Sequence, residues 1–172
     1  MIRDETFSRK DLPRELEIQV LAFMRLEWGN ALFRGEDRFR DRLWDHADAV
    51  HFVRIAGNLL ISHAQVLNVV AIGDDREINL AGASAVMTYP PFRQQGHASA
   101  VMRRLGEHIL ASDVVAGLLF TDQDLETFYS RLGWHSINVG RILVQGREPK
   151  DLVMSLGDEA GLPNIVRLDW QW

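Results

Sequence analysis

Three strand-like runs, 49–55, 59–72 and 77–88, are separated only by Gly57-Asn58 and by Gly73-Asp74-Asp75. Connections this short cannot carry a chain across a sheet, so neighbouring runs must pair antiparallel as a meander. The period then changes. Tyr89-Pro90-Pro91-Phe92 interrupts the ladder, and Ala98, Val101, Met102, Leu105 and Ile109 recur at helical spacing within 96–112. A short apolar run, 114–120, reads as a strand, and 122–131 as a short helix that stops at Gly133. Three further extended stretches are expected in 134–172, around loops at 146–150 and 157–164. Ahead of the meander, Asp11 as a cap, Pro13 in the first turn and the spacing of Leu16, Val20 and Phe23 predict a helix over 11–27, closed by Trp28-Gly29-Asn30. The charge-rich segment 34–46 reads as a weak helix or a mobile loop. This order predicts an α/β fold with a mixed, mostly antiparallel central sheet flanked by helices.

Composition narrows the chemistry. A chain of 172 residues with 47% hydrophobic content is expected to build one core, a single domain over 1–172. The absence of cysteine removes disulfide scaffolding, thiolate catalysis and cysteine-based zinc sites together. The six histidines lack His-Glu-x-x-His or other metal spacing, so no metal is expected. Gly82-Ala83-Ser84-Ala85-Val86 lacks the second glycine of a hydrolase nucleophile elbow, which leaves Ser84 a strand residue. No apolar run approaches the roughly 18 residues needed to span a bilayer, and residues 1–10 mix charges with isolated apolar side chains. A cytoplasmic protein without membrane partners is expected. The formal net charge of −5 disfavours nucleic acid and favours cations, which makes a small amine the natural partner to consider.

The most informative stretch is Val86-Met87-Thr88-Tyr89-Pro90-Pro91-Phe92-Arg93-Gln94-Gln95-Gly96-His97-Ala98-Ser99, a small-residue loop between a strand and a helix. The first turn of a helix leaves amides without partners and carries about half a positive charge, so a diphosphate supplies the missing acceptors. Gly96 and Ala98 leave room for close backbone approach. Taken alone, the six-residue pattern is as compatible with an ordinary helix start.

Here the chain resembles the GNAT superfamily of N-acetyltransferases, whose signature for the acetyl-CoA pyrophosphate is Arg or Gln, two residues, Gly, one residue, Gly or Ala. Arg93-Gln94-Gln95-Gly96-His97-Ala98 matches it. Phe128-Tyr129-Ser130-Arg131-Leu132-Gly133-Trp134 is similar to the family's helix ending in Tyr, three residues, Gly and an aromatic. The resemblance runs from about Leu59 to Trp134 and implies acetyl-CoA as co-substrate, bound at a splayed pair of parallel strands. It assigns main-chain groups of Val86, Met87 and Thr88 to the pantetheine arm and residues 93–99 to the diphosphate. A backbone N–H near Met87 would polarise the thioester carbonyl.

An alkyl amine has a pKa of about 10, so a base or water chain must deprotonate it before attack. The carboxylate that relatives often carry on the strand before the loop is replaced here by Ala81, Ala83, Ser84 and Ala85, and the base stays unassigned. Glu77 reaches the site only through water. The resemblance puts Tyr129 at the thiolate's proton donor, although helical spacing beside Leu125, Phe128 and Leu132 equally describes a core aromatic. Asp122 reads as a helix cap rather than a pantetheine contact. The aminoglycoside 2′-N-acetyltransferases echo most in Ile61-Ser62-His63-Ala64, in Arg131-Leu132-Gly133-Trp134 and in Asp169, Trp170 and Trp172. That echo implies a polycationic acceptor held by Asp169, the terminal carboxylate of Trp172, and Glu36 or Asp37. The competing readings are a protein or peptide N-acetyltransferase and a non-catalytic CoA-binding or sensing module. An exposed strand edge near the carboxyl terminus offers a route to a homodimer.

Overall fold

A computed structural model of the chain describes residues 1–33, 46–158, 161–169 and 172. Its contacts divide into two compact units, 1–67 with 84–105, and 68–83 with 106–172. Strands β3 (Leu59–Gly73) and β4 (Arg76–Thr88) run through both.

In the first unit the sheet order is β1-β2-β3-β4, where β1 is Ile2–Ser8 and β2 is Val50–Ala56. The β2 and β3 bounds agree with the meander read from the sequence. β1 is an addition. Its charged composition masked it, yet those charges suit an edge strand, and Asp4 lies opposite Arg54 with an ion pair of 3.5 Å. Helix α1 (Arg14–Phe33) starts three residues later than the cap reading of Asp11 implied. The Pro13 carbonyl accepts the first helical amides, from Leu16 and Glu17, while the Asp11 carboxylate accepts from the Ser8 hydroxyl and closes the turn ahead of the helix. Leu16, Val20 and Phe23 are buried with Met24, each worth about 1.5–3 kcal/mol if fully removed from water. Gln19 clasps the helix to the β2–β3 turn, donating to the Asn58 carbonyl at 2.8 Å and accepting from the Leu60 amide at 2.8 Å. Trp28 has φ −120° and ψ 29°, so the expected helix end is a kink and the helix resumes to Phe33.

β3 and β4 are joined through Asp74 and Asp75 with φ 45° and 64°, the left-handed pair that a two-residue hairpin turn demands. The Asp74 carboxylate accepts the amides of Asn164 and Ile165, both at 3.1 Å, and these bonds hold its pKa below the usual value. At the other end, the Tyr89 amide bonds the Ile61 carbonyl at 2.8 Å. From the Asp74-Asp75 turn to the Ile61–Tyr89 bond the chain uses one residue more after the turn (76–89) than before it (61–73), and the left-handed Ala85, φ 50°, lies in that span as the bulge.

In the second unit β4 meets β5 (Gly117–Thr121) in parallel, at Ala81↔Gly117 and Gly82↔Leu118. Among the described residues the parallel ladder consists of these two pairs, while β5 continues to Thr121. β5 pairs antiparallel with β8 (Leu152–Leu156), and β8 with β6 (His135–Ser136). β9 (Val166–Leu168) pairs antiparallel with β3 and parallel with β7 (Ile142–Val144). Among the described residues of 134–172 there are four short strands where three extended stretches were expected. Helix α2 (His97–Leu110) buries Val101, Met102, Leu105 and Ile109, the face that periodicity marked. A 3₁₀ turn, Gln123–Leu125, precedes α3 (Glu126–Ser130), and Gly133 at φ 87° ends that segment.

The Trp172 indole lies over Gly82, donates to the Ala83 carbonyl at 3.1 Å and meets the Phe120 ring edge-on, with centroids 5.1 Å apart. A Cβ on Gly82 would stand 2.6 Å from the indole Cε2, an overlap only displacement relieves. Gly82→Ala is thus expected to destabilise the fold by about 1–3 kcal/mol in denaturant titration. In a Trp172→Ala background the same substitution should be nearly neutral, and an undiminished effect would show that the indole is not the obstacle.

Candidate functional site

The first unit carries the loop that the sequence singled out. Beyond Thr88 the chain makes a 3₁₀ turn over Pro90–Phe92, then adopts left-handed backbone at Gln94 (φ 60°) and Gly96 (φ 79°) before α2 begins. Two left-handed residues so close reverse the chain tightly. The first α2 ladder bond runs from the Ala100 amide to the Gly96 carbonyl at 3.1 Å, so the amides of His97, Ala98 and Ser99 precede the ladder. A Cβ built on Gly96 meets nothing within 4 Å. The cradle is open where a diphosphate would approach the amides, so residues 93–99 fit the group that their pattern implies.

Side chains brace this loop. Arg93 donates through Nε to the Thr88 carbonyl at 3.0 Å and forms an ion pair with Glu27 of α1. Gln95 donates to the Pro91 carbonyl at 3.1 Å. Tyr89 stacks on Phe23 with centroids 5.2 Å apart, and Phe92 meets both Tyr89 and His97. His97 is buried, its ring packed edge-on against Phe92. Val86 and Thr88 are partly exposed, whereas Met87 is buried. Glu27 was read only as a helix end, and nothing in the sequence ties it to a residue 66 positions away.

Beside β4, β3 carries three polar side chains whose contacts the sequence did not disclose. Ser62, His63 and Gln65 are fully buried. Ser62 Oγ donates to the Met87 carbonyl at 2.8 Å and receives the Thr88 hydroxyl at 2.9 Å. Gln65 Nε2 donates to Ser84 Oγ at 3.2 Å. His63 Nδ1 lies 2.8 Å from the Ala85 carbonyl, and its Nε2 lies 3.0 Å from His51 Nδ1. Because a carbonyl only accepts, His63 carries its proton on Nδ1, and its Nε2 accepts a hydrogen bond from the His51 Nδ1–H. Burial holds both rings neutral, lowering His63 to about 4 and, with repulsion from His63 and Arg9 added, His51 to about 2. Polar side chains inside an otherwise apolar strand were the available signal.

Tyr129 belongs to the second unit. It is buried, packs edge-on against Phe128 with centroids 4.9 Å apart, and shares a hydrogen bond with the Thr121 side chain. Burial pushes its phenol up to about 12, and the Thr121 bond opposes that rise only in part. The proton is therefore retained across the physiological range. Trp134, from the same motif, is fully buried. Asp122 stands at the N-cap of the 3₁₀ turn, as read, but makes no side-chain cap bond there. Asp169 is exposed and Trp172 is half-buried, both in the second unit. Glu36 and Asp37 lie outside the described residues. Among the described residues no cluster of three His, Cys, Asp or Glu is arranged to hold a metal ion, and no helix is long and apolar enough to cross a membrane.

The family model for an acetyltransferase (GNAT) domain matches residues 6–137, most of the chain and both motifs. The chain belongs to the GNAT acetyltransferase family. GNAT architecture recurs among solved structures. An acyl-CoA N-acyltransferase from Pseudomonas aeruginosa superimposes with a TM-score of 0.66 at 16% identity, over 91% of this chain and 100% of that one. ElaA from Escherichia coli gives 0.65 at 17%, with the same two coverages of 91% and 100%. An aminoglycoside 6′-N-acetyltransferase complexed with coenzyme A gives 0.63 at 13%, over 89% of this chain and 95% of that one. No curated protein matches the chain by sequence. The mixed, mostly antiparallel sheet with its parallel β4–β5 pair is the GNAT arrangement, and the chain is an acyltransferase of that family, whose acyl donor is acetyl-CoA.

Proposed function

We propose that this GNAT chain transfers the acetyl group of acetyl-CoA to the primary amine of a small cationic molecule, aminoglycoside-like in its charge, by direct attack of the amine on the thioester. The observation that carries the proposal is the open, left-handed turn at Gln94 and Gly96 ahead of the α2 amides. In this reading residues 1–172 work as one domain. Main-chain groups of Val86, Met87 and Thr88 hold the pantetheine arm, and Arg93, Gln94, Gln95, Gly96, His97, Ala98 and Ser99 surround the diphosphate. Tyr129 returns a proton to the departing thiolate. Asp169, Trp172, Glu36 and Asp37 hold the ammonium groups of the acceptor, in keeping with the net charge of −5. The protein acts in the cytoplasm without metal, nucleic acid or membrane, alone or as a homodimer.

A screen of amines for acetyl-CoA-dependent thiol release tests the acceptor class, with gentamicin and tobramycin as first members. Acetylated drug, detected by its mass, is the expected result, and unchanged drug alongside turnover of other amines removes the aminoglycoside reading. Tyr129→Phe is expected to lower kcat about 100-fold, within the usual range for loss of a general acid, while the acetyl-CoA Kd stays within about twofold. With the phenol at about 12, activity should show no loss from its ionisation below pH 10. Unchanged kcat in Tyr129→Phe would dismiss it as the donor.

A further inference from the structure

The buried histidine pair has no part in the chemistry described so far, yet it ends on the main chain of the acyl-CoA strand. Ala85 holds φ 50°, a conformation that disfavours any residue with a Cβ by about 1–2 kcal/mol and persists only where its surroundings enforce it. The carbonyl of this residue accepts the His63 Nδ1–H at 2.8 Å. His63 is itself held by His51, whose ring fixes the tautomer through the 3.0 Å contact at Nε2.

Locking that carbonyl has a geometric consequence. A trans peptide directs its C=O and N–H oppositely, so anchoring the Ala85 carbonyl on the β3 side turns the Val86 N–H to the other edge of β4. Among the described residues, the β4 residues paired with β5 are Ala81 and Gly82, four and more residues before Val86. Ser62 repeats the device one step on, holding the Met87 carbonyl and turning the Thr88 N–H the same way.

We infer that His63 is a positioning residue for acetyl transfer: by clamping the Ala85 carbonyl at the bulge, it aims the Val86 N–H at the thioester carbonyl oxygen of acetyl-CoA, with His51 holding His63 in the required tautomer. This rests on the acyl-CoA reading of the β4–α2 segment. Electrostatic stabilisation by a fixed amide depends on aim, because a donor worth much to the developing oxyanion is worth little when misdirected.

Three proteins, wild type, His63→Leu and His63→Asn, separate the possibilities when each is saturated with acetyl-CoA carrying a ¹³C-labelled carbonyl. Leucine removes the donor, whereas the asparagine amide nitrogen replaces Nδ1. The bound thioester carbonyl stretch should shift to lower frequency in wild type relative to water-free solvent, lose that shift in His63→Leu and regain most of it in His63→Asn. With an acceptor from the amine screen, kcat should fall at least about tenfold in His63→Leu with the acetyl-CoA Kd changed less than about threefold, and His63→Asn should recover it. A carbonyl stretch and kcat in His63→Leu equal to wild type would overturn the inference. So would losses that track Kd and melting temperature equally in both variants, since that marks a merely structural role. If His63→Leu does not fold, His51→Leu carries the comparison: a smaller change in the same direction supports the inference, and none overturns it. Failure of the acyl-CoA reading is distinct, because wild type would then bind no labelled acetyl-CoA at all.

Discussion

Gly96→Glu is expected to weaken acetyl-CoA binding by at least about 100-fold while leaving the protein folded. Two effects act together. Gly96 sits at φ 79°, where a residue with a Cβ is disfavoured by about 1–2 kcal/mol. A carboxylate there also stands among the amides that would otherwise meet a diphosphate, and two like charges about 6 Å apart repel by roughly 3 kcal/mol at an effective dielectric near 20. The strain burdens free and bound protein alike, so the repulsion is what weakens binding, and it reaches the ~2.7 kcal/mol that corresponds to a factor of 100. Folding is charged only with the first effect, because a Cβ at Gly96 meets nothing within 4 Å. Gly96→Ala separates the two: it keeps the strain without the charge and should bind within about tenfold of wild type. Calorimetric titration of both variants measures this, and tight binding by Gly96→Glu would show that the diphosphate lies elsewhere.

The fold is expected to lose stability steeply in mild acid. His51 and His63 are neutral when buried, with pKa values lowered to about 2 and about 4, while in the unfolded chain each titrates at the usual 6.5. Below pH 6.5 the unfolded state binds protons that the folded state refuses, so stability rises with pH and falls as pH drops. The loss from His63 continues down to about pH 4 and that from His51 to about pH 2. Well above pH 7 neither contributes a slope. At pH 5 each ring costs about 2 kcal/mol relative to neutral pH, roughly 4 kcal/mol for the pair, against a typical total of about 5–15 kcal/mol. Urea midpoints between pH 7.5 and 5 test this, with His51→Phe expected to flatten the dependence by about half. A profile flat to pH 5 in wild type would mean that the rings are charged or solvated in the fold.

These two results draw on parts of the chain that differed in how far the sequence disclosed them. The meander was legible because Gly57-Asn58 and Asp74-Asp75 permit only hairpins, and the α2 face because Val101, Met102, Leu105 and Ile109 repeat at one period. The loop at 93–99 was legible as a motif, and its left-handed turn follows from where Gly96 stands. β1 was not, since an edge strand needs little apolar pattern and Arg3, Asp4 and Glu5 look like a solvated tail. α1 began late because Asp11 serves the preceding turn, a choice between two local bonds that spacing cannot decide. The strands described beyond Trp134 are two to five residues long, too short for alternation to register, and β7 and β9 join the sheet through distant partners. The ion pair between Arg93 and Glu27 and the His51–His63–Ala85 chain are long-range contacts with no local signature.

Family membership explains why β4, the bulge and the helix start occur in one run of chain, yet the chemistry stands on whether the amides there meet a diphosphate. Acetyl-CoA titrated into the wild-type protein by calorimetry addresses this most directly. Saturable heat at one site per chain is expected, with a Kd within about 1 μM to 1 mM and competition by free CoA. Absence of saturable heat for acetyl-CoA, CoA and longer acyl forms alike would contradict it.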